Sequence, residues 1–172
     1  MFYRMSAAVA AAVLLLSGCG AWQSVSDAST NAYRAVFFKQ VKVLDIDLIA
    51  RAALNPDDAG RPTSVAVRVY QLKDRKMVDA ASYDDLLKND RTILGQDLQG
   101  GMSAVVNPGA SSSLSQPMQR ETEYVAIVAL YRAPGAAENW KRVIEKKKLD
   151  PDKPLRVRLT PTGLQMAGDA PK

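Results

Sequence analysis

The sequence predicts an all-β fold, a sandwich of two sheets with one short added helix. Three observations carry this. Short runs such as Ser64–Lys73 and Leu155–Leu159 alternate apolar and polar positions, with β-branched side chains on one face. Tyr124–Arg132 is an apolar run of strand length, rich in Val, Ile and Tyr. Dense turn clusters separate these runs, as at Asn55–Pro62 and Asn107-Pro108-Gly109. Many short strands with frequent turns favour a sandwich. The Cys-Trp-Cys pattern of antibody-type domains is absent, which points to another sandwich topology.

The first strand lies in Val41–Leu54. Val41 and Val43 point one way, Ile46, Leu48 and Ala50 follow with Asp45 and Asp47 opposite, and the change of phase suggests a bulge. Asn55–Pro62 holds two prolines and a glycine and reads as a stiff loop. Ser64–Lys73 is the second strand, with Val65, Val67 and Val69 on one face, expected to pair antiparallel with the first across the loop. Val78–Asn89 reads as the one helix, with Asp79 placed to cap it and Tyr83, Leu86 and Leu87 on one face. Ile93–Gly95 has no clear period. Ser103–Val106 is a brief strand, and Ala110–Gln116 is a loop or an edge strand. Tyr124–Arg132 is a central strand buried on both faces, ended by Ala133-Pro134-Gly135. Trp140–Ile144 is a short strand or bridge, Glu145–Pro154 a charged loop, and Leu155–Leu159 the last strand. The chain after Gly163 reads as weakly structured.

Bulk properties narrow the function. The 172 residues carry a formal charge of +5, spread among acids rather than gathered into a nucleic-acid footprint. The chain has no histidine, which removes the commonest general base, the commonest metal ligand and any Ser-His-Asp arrangement. Its single cysteine excludes an intrachain disulfide.

That cysteine follows a short leader. Arg4 precedes the apolar run Ala7–Leu16, and Ser17, Gly18 and Cys19 come next. The layout is that of a signal peptide, and its apolar run is too short to span a bilayer. Leu16-Ser17-Gly18-Cys19 resembles the bacterial lipobox. Small Ser17 and Gly18 let the chain lie extended in a protease cleft, and the Cys19 sulfur is the nucleophile that takes a diacylglyceryl group. Two or three acyl chains then anchor the protein essentially permanently, at about 0.8 kcal/mol per buried CH₂. Gly20 is not acidic, which by likeness to enterobacterial lipoproteins implies the periplasmic face of the outer membrane. The expected organisation is a signal peptide at 1–18, a lipidated tether at 19–40, a sandwich at 41–165 and a flexible tail at 166–172. Within the tether, Ala28, Ala32, Ala35 and Val36 have helical spacing.

Other chemistry-bearing residues read as surface or core. Asp45 and Asp47 lie on one strand face without a Gly-rich calcium loop. Asp84 and Asp85 are helix acids, and Ser111–Ser113 lack a nucleophile elbow. Lys146-Lys147-Lys148 reads as a solvated loop, with anionic lipid or peptidoglycan as the alternative. Trp140 reads as core. No catalytic residue, metal ligand or cofactor site is expected, and no small-molecule substrate.

The chain resembles the TssJ (SciN) family, the outer-membrane lipoprotein of type VI secretion systems. The likeness rests on the lipobox at Cys19, Leu54-Asn55-Pro56 leading to Gly60-Arg61-Pro62, and Val67–Lys73. It continues through Ala81–Leu87, Leu94-Gly95, Asn107-Pro108-Gly109, Val128–Arg132 and Trp140, in order over most of the chain beyond Val41. The resemblance implies a transthyretin-like sandwich with an added helix, and no enzymatic activity. It implies binding to the periplasmic C-terminal part of TssM, and through it a complex with TssL. It also implies that the loop between the first two strands contacts TssM. Here that loop supplies Asn55, Pro56, Asp57, Asp58, Gly60, Arg61 and Pro62, whose acids are suited to basic partner residues. Replacing Asp57-Asp58-Ala59 with Gly-Ser-Gly is expected to weaken that binding and leave the thermal melt nearly unchanged, because the changes lie outside the core; a solvated hairpin loop is the plain alternative.

Cys19→Ser is expected to abolish incorporation of radioactive palmitate and to release the protein from membranes. A variant that still sediments with outer membrane after a high-salt wash would overturn the lipoprotein reading.

Overall fold

The computed structural model describes residues 40–134 and 139–166. The expected signal peptide, the expected lipobox with Cys19, the expected tether short of Gln40, and residues 167–172 of the expected tail lie outside the described residues. Eight strands form two sheets. They are β1 (Val43–Ala50), β2 (Val65–Leu72), β3 (Leu98–Val106), β4 (Ser111–Pro117), β5 (Tyr124–Leu130), β6 (Lys141–Glu145), β7 (Leu155–Leu159) and β8 (Leu164–Met166). One sheet has the order β4-β1-β7-β8 and the other β3-β2-β5-β6. Between β2 and β3 run three short helices, α1 (Lys76–Ala80), α2 (Tyr83–Lys88) and α3 (Asp90–Leu94). The fold is the expected all-β sandwich.

The core follows strand alternation. Leu44, Ile46, Leu48 and Ala50 of β1 are buried, as are Val157 and Leu159 of β7. Across from them lie Val65, Val67 and Val69 of β2 and Val125, Ile127 and Ala129 of β5. Cross-strand partners share a face, so Arg68 opposite Val128 and Tyr70 opposite Ala126 belong to the other side of that sheet. The helices cover this second side. Arg68 Nη1 donates to the Leu86 carbonyl at 2.8 Å, and the Tyr70 hydroxyl donates to Asp90 at 2.7 Å. The Lys141 ammonium donates to the carbonyls of Val78, Asp79 and Ala81 at 3.2, 2.8 and 2.9 Å, closing the C-terminal end of α1. Tyr83 packs edge-on against Trp140, with ring centroids 5.1 Å apart. β5 is therefore buried on both faces, as its composition predicts, and the second cover is helical.

Several sequence expectations are corrected. β1 and β2 do not pair; they belong to different sheets. β1 pairs antiparallel with β4 and parallel with β7. The connection from Ala50 to Val65 is far longer than the two to five residues of a hairpin, long enough to cross between sheets about 10 Å apart. β1 also has no bulge: its register is unbroken against both neighbours. Val43 and Ile49 are simply apolar residues on the solvent face, 45% and 40% exposed. The register shift falls instead between Gln71 and Leu72, against β3.

The single expected helix is broken. Ala81 is extended at the end of α1, and Asp79 lies within α1, paired with Arg75. The cap is Ser82, which forms a capping box with Asp85 at the start of α2. Leu86 is buried, whereas Leu87 is 38% exposed. The chain after Gly163 is not weakly structured as far as Met166: β8 pairs antiparallel with β7. A tight turn makes this possible, with Thr160 N–H bonded to the Gly163 carbonyl at 2.9 Å. Gly163 itself is required, because a Cβ there would lie 2.6 Å from Cβ of Asn139. β3 begins at Leu98, earlier than its alternation suggests, and Ala110–Gln116 resolves as an edge strand.

Val128→Asp places a carboxylate between β5 and the helical cover, where the two cations opposite it, Arg68 and Lys141, are already bonded to helix carbonyls. The cost should be at least several kcal/mol. The variant is expected to lose its β-type circular dichroism or its soluble yield; a normal cooperative melt would refute this account of the buried strand.

Candidate functional site

The two ends of the sandwich differ. β1 runs from one end to the other, roughly 25 Å at about 3.3 Å per residue. The chain enters at Val43, at the end shared with Pro117, Tyr124, Glu145 and Leu155. We refer to this end as the base. At the opposite end, or tip, lie the β1–β2 loop (51–64), the β3–β4 turn (107–110), the start of the β5–β6 connection, and the β7–β8 turn.

The base is closed by a buried polar clasp. Gln71 is fully buried and bonded through both ends of its amide. Its oxygen accepts from Gln119 N–H at 2.8 Å and from the Thr122 hydroxyl at 3.0 Å, and its nitrogen donates to the Pro117 carbonyl at 3.0 Å. This ties the second sheet to the end of β4 in the first. Sequence reading passed over Gln71 because a polar residue in a strand usually faces water.

The loop at the tip is built on two side chains. Asn55 is buried, with φ of +44°, a conformation that asparagine tolerates better than most residues. Its amide nitrogen donates to Thr63 Oγ1 and the Ser64 carbonyl, both at 2.9 Å, and its oxygen accepts from Arg132 N–H at 2.9 Å. Asn55 thus staples the loop's two ends together and fastens them to the end of β5. Asp57 shapes the outer part. Its carboxylate accepts from the N–H groups of Ala59 and Arg61 at 2.9 and 2.8 Å and from Arg61 Nε at 2.8 Å. Backbone bonds from Asp57 N–H to the Arg61 carbonyl and from Gly60 N–H to the Asp57 carbonyl, each 2.9 Å, close the turn. Gly60 takes φ of +75°, which this turn requires.

Sorting the expected contact residues by geometry divides them. Asn55 and Asp57 face inward and serve the loop itself. Pro56, Asp58, Gly60, Arg61 and Pro62 are exposed. The Asp58 side chain is wholly exposed and lies 3.3 Å from Arg132, which comes from the far end of β5. Neither acid of the loop is thus without a cation in the chain itself. Arg132 joins the surface unforeseen, because only the fold brings residues 58 and 132 together. The β3–β4 turn joins it too: Ser64 Oγ donates to Asn107 Oδ1 at 2.7 Å, and Gly109 N–H donates to the Arg51 carbonyl at 3.1 Å. The tip is a rigid, mixed-charge surface made of exposed prolines, Asp58, Arg61 and Arg132.

The remaining candidates are placed as follows. Asp47 accepts from Ser113 Oγ at 2.7 Å and lies 4.0 Å from Arg156, on the uncovered face of the first sheet. Asp84 pairs with Lys88 at 3.0 Å on α2. Trp140 is buried. Lys146–Lys148 form a 3-10 turn at the base. Among the described residues no group of three His, Cys, Asp or Glu comes together to hold a metal ion.

A family model described as type VI secretion lipoprotein, including VasD, EvfM and TssJ, matches residues 42–162. The chain belongs to that family. Its members are structural lipoprotein components of the type VI secretion machinery. Solved structures agree. A chain of a structure described as a type VI membrane complex is 32% identical with a TM-score of 0.71, covering 74% of this chain and 99% of that one. A chain of the structure described as the T6SS protein TssM C-terminal domain (869-1107) from EAEC is 29% identical with a TM-score of 0.68, covering 74% and 98%. The lipoprotein TssJ1 from Pseudomonas aeruginosa shares the fold at 24% identity and a TM-score of 0.61, covering 76% and 98%. No curated protein matches the chain.

The two acids of the loop should behave differently. The Arg61 N–H, opposed by partial burial and helped by the Arg61 guanidinium, the Ala59 N–H and the nearby Arg132, holds the Asp57 carboxyl below the usual carboxylate range. A lowered folded pKa contributes stability above the unfolded value of about 3.9, lost as pH falls through the lower folded value. Protection of the Arg61 amide, its exchange rate relative to a free peptide at the same pH, should therefore hold through the usual carboxylate range and be lost only as pH falls through the lowered Asp57 value. Asp57→Ala should remove this protection at neutral pH, whereas Asp58→Ala should leave it in place. Equal exchange in both variants would show that Asp57 does not hold the loop.

Proposed function

We propose that this lipoprotein is anchored through Cys19 at the periplasmic face of the outer membrane and binds the periplasmic C-terminal part of TssM through the tip of its sandwich. It thereby links the envelope-spanning complex, and TssL indirectly, to that membrane. The observation that carries this reading is the rigid tip at the end opposite the chain's entrance at Val43. A loop stapled by Asn55 and Asp57 loses little conformational freedom on binding. Its position leaves it pointing away from the anchored end. The likeness to chains from structures described as the TssM C-terminal domain and as a type VI membrane complex supports the choice of partner. The role needs no cofactor, metal or substrate: a preset surface and an anchor suffice. Cleavage after Leu16-Ser17-Gly18 and lipidation of Cys19 belong to the same reading.

The loop's geometry changes how the interface should be tested. Replacing Asp57-Asp58-Ala59 together would collapse the loop as well as remove contacts, so loss of binding would mean little. Asp58→Arg, and separately Arg132→Asp, change exposed charges and leave Asn55 and Asp57 in place. Each is expected to weaken binding of a TssM periplasmic fragment about tenfold or more by isothermal titration, with the thermal melt nearly unchanged. Full affinity in both folded variants would move the interface away from the tip, with α2 around Tyr83–Leu87 and the Lys146–Asp150 segment next to be tested.

A further inference from the structure

We propose that the base of the sandwich is a second membrane contact, a face that rests on the headgroups of an anionic phospholipid bilayer. The proposal rests on the lipid-anchor reading of Cys19.

The base carries a cleft of about 380 Å³ between the start of β1 and the segment leading into β7. Its lining includes apolar Val41, Val43, Leu149 and Pro151, with three cations (Lys148, Lys153, Arg156) against two acids (Asp45, Asp150). Residues 145–156 hold five cations (Lys146, Lys147, Lys148, Lys153, Arg156) against three acids (Glu145, Asp150, Asp152), a surplus of two positive charges. The ammonium-bearing side chains reach into solvent: Lys147 is 80% and Lys153 79% exposed. Glu145 organises the turn, accepting from Lys147 and Lys148 at 2.7 and 3.0 Å. Those two bonds, against a small burial effect, hold its carboxyl down to about 2, so the arrangement persists at any pH the envelope meets. Apolar side chains flanked by exposed cations are the composition that adsorbs to an anionic bilayer surface.

Position selects a bilayer as the occupant rather than an acidic protein. The chain leaves the sandwich at Val43, on the cleft wall, and Cys19 lies 24 residues upstream of it. Fully extended, that stretch reaches at most about 80 Å. An anchor this close holds the base near the headgroups at high local concentration, so contacts too weak to act alone are populated. Resting on the base also turns the tip away from the membrane. Exposed cations are screened by salt, so the contact should weaken as ionic strength rises.

The test imposes the anchor chemically, so that it does not depend on lipidation in the cell. The chain from Cys19 onward, with its single thiol, is coupled to a maleimide lipid. One set of vesicles is phosphatidylcholine alone, the other equal parts phosphatidylcholine and phosphatidylglycerol. Amine acetylation of Lys147, Lys148 and Lys153 is followed by mass spectrometry, with Lys88 on α2 as the internal reference. Labelling of the three base lysines relative to Lys88 should fall about fivefold in the phosphatidylglycerol vesicles and recover in high salt. In Lys147→Glu/Lys153→Glu the protection of Lys148 should disappear while the melt is retained. Identical labelling ratios in the two vesicles would overturn the proposal, as would protection that survives the double substitution. Failure of Cys19→Ser to release the protein from cell membranes would instead count against the anchor, which this assay does not use.

Discussion

The pairing of β2 with β5 is the constraint on which the rest of the structure depends. These two strands are the inner pair of their sheet, and β5 carries apolar side chains on both faces from Val125 to Ala129. A strand of that composition is stable only when both faces are covered. The first sheet covers one, and the helical connection between β2 and β3 covers the other. Side chains projecting toward that cover are placed to hold it: Arg68 and Tyr70 from β2 and Lys141 from β6 each bond to a helix carbonyl or carboxylate. Burial and the Asp90 carboxylate push the Tyr70 hydroxyl well above its ordinary range, so it remains a donor. Burial opposes the ionisation of Asp90, yet the Tyr70 hydroxyl, the Arg91 N–H and the charges of Arg68 and Arg91 outweigh it and keep that carboxyl below its usual range.

With the layers set, each end of the sandwich is closed by one buried amide. Gln71 joins the sheets at the base, and Asn55 joins the long crossing loop to the end of β5 at the tip. A buried amide that lost its partners would cost about 1–3 kcal/mol, so each of these side chains makes its surroundings close to unique in geometry. The tip is therefore rigid for a reason unrelated to its exposed residues. The residues that form this surface, Asn55 and Asp57, are distinct from those exposed on it. The base, where the chain enters, carries apolar side chains and exposed, ion-paired lysines instead. The two ends thus differ in chemistry, a hydrogen-bonded loop surface at one and an apolar cleft with exposed charges at the other.

Much of this was legible in one dimension, for identifiable reasons. The Val65-Val67-Val69 alternation, the two-sided burial of Tyr124–Leu130 and the turn at Asn55–Pro62 are local patterns, and each appears where the pattern places it. The misreadings share a cause. Val43 and Ile49 are apolar on a solvent face, so periodicity assigned β1 a bulge it lacks. Asp79 has the chemistry of a cap, but Ser82 has the position and the reciprocal bond. β8 is three residues long, too short to show a period, and exists because β7 offers a free edge.

The sequence by itself determined the fold class, the family and the location of the loop, because each is written in residues close together along the chain. Only the tertiary structure decided that β1 and β2 lie in opposite sheets, that β1 takes a parallel partner, and that Arg132 stands beside Asp58. It alone separated Asn55 and Asp57, which build the loop, from Pro56, Asp58, Arg61 and Pro62, which face outward. The reason is physical: partner choice between strands and the orientation of a loop side chain depend on which surfaces must be buried together, and residues far apart in the chain settle that jointly.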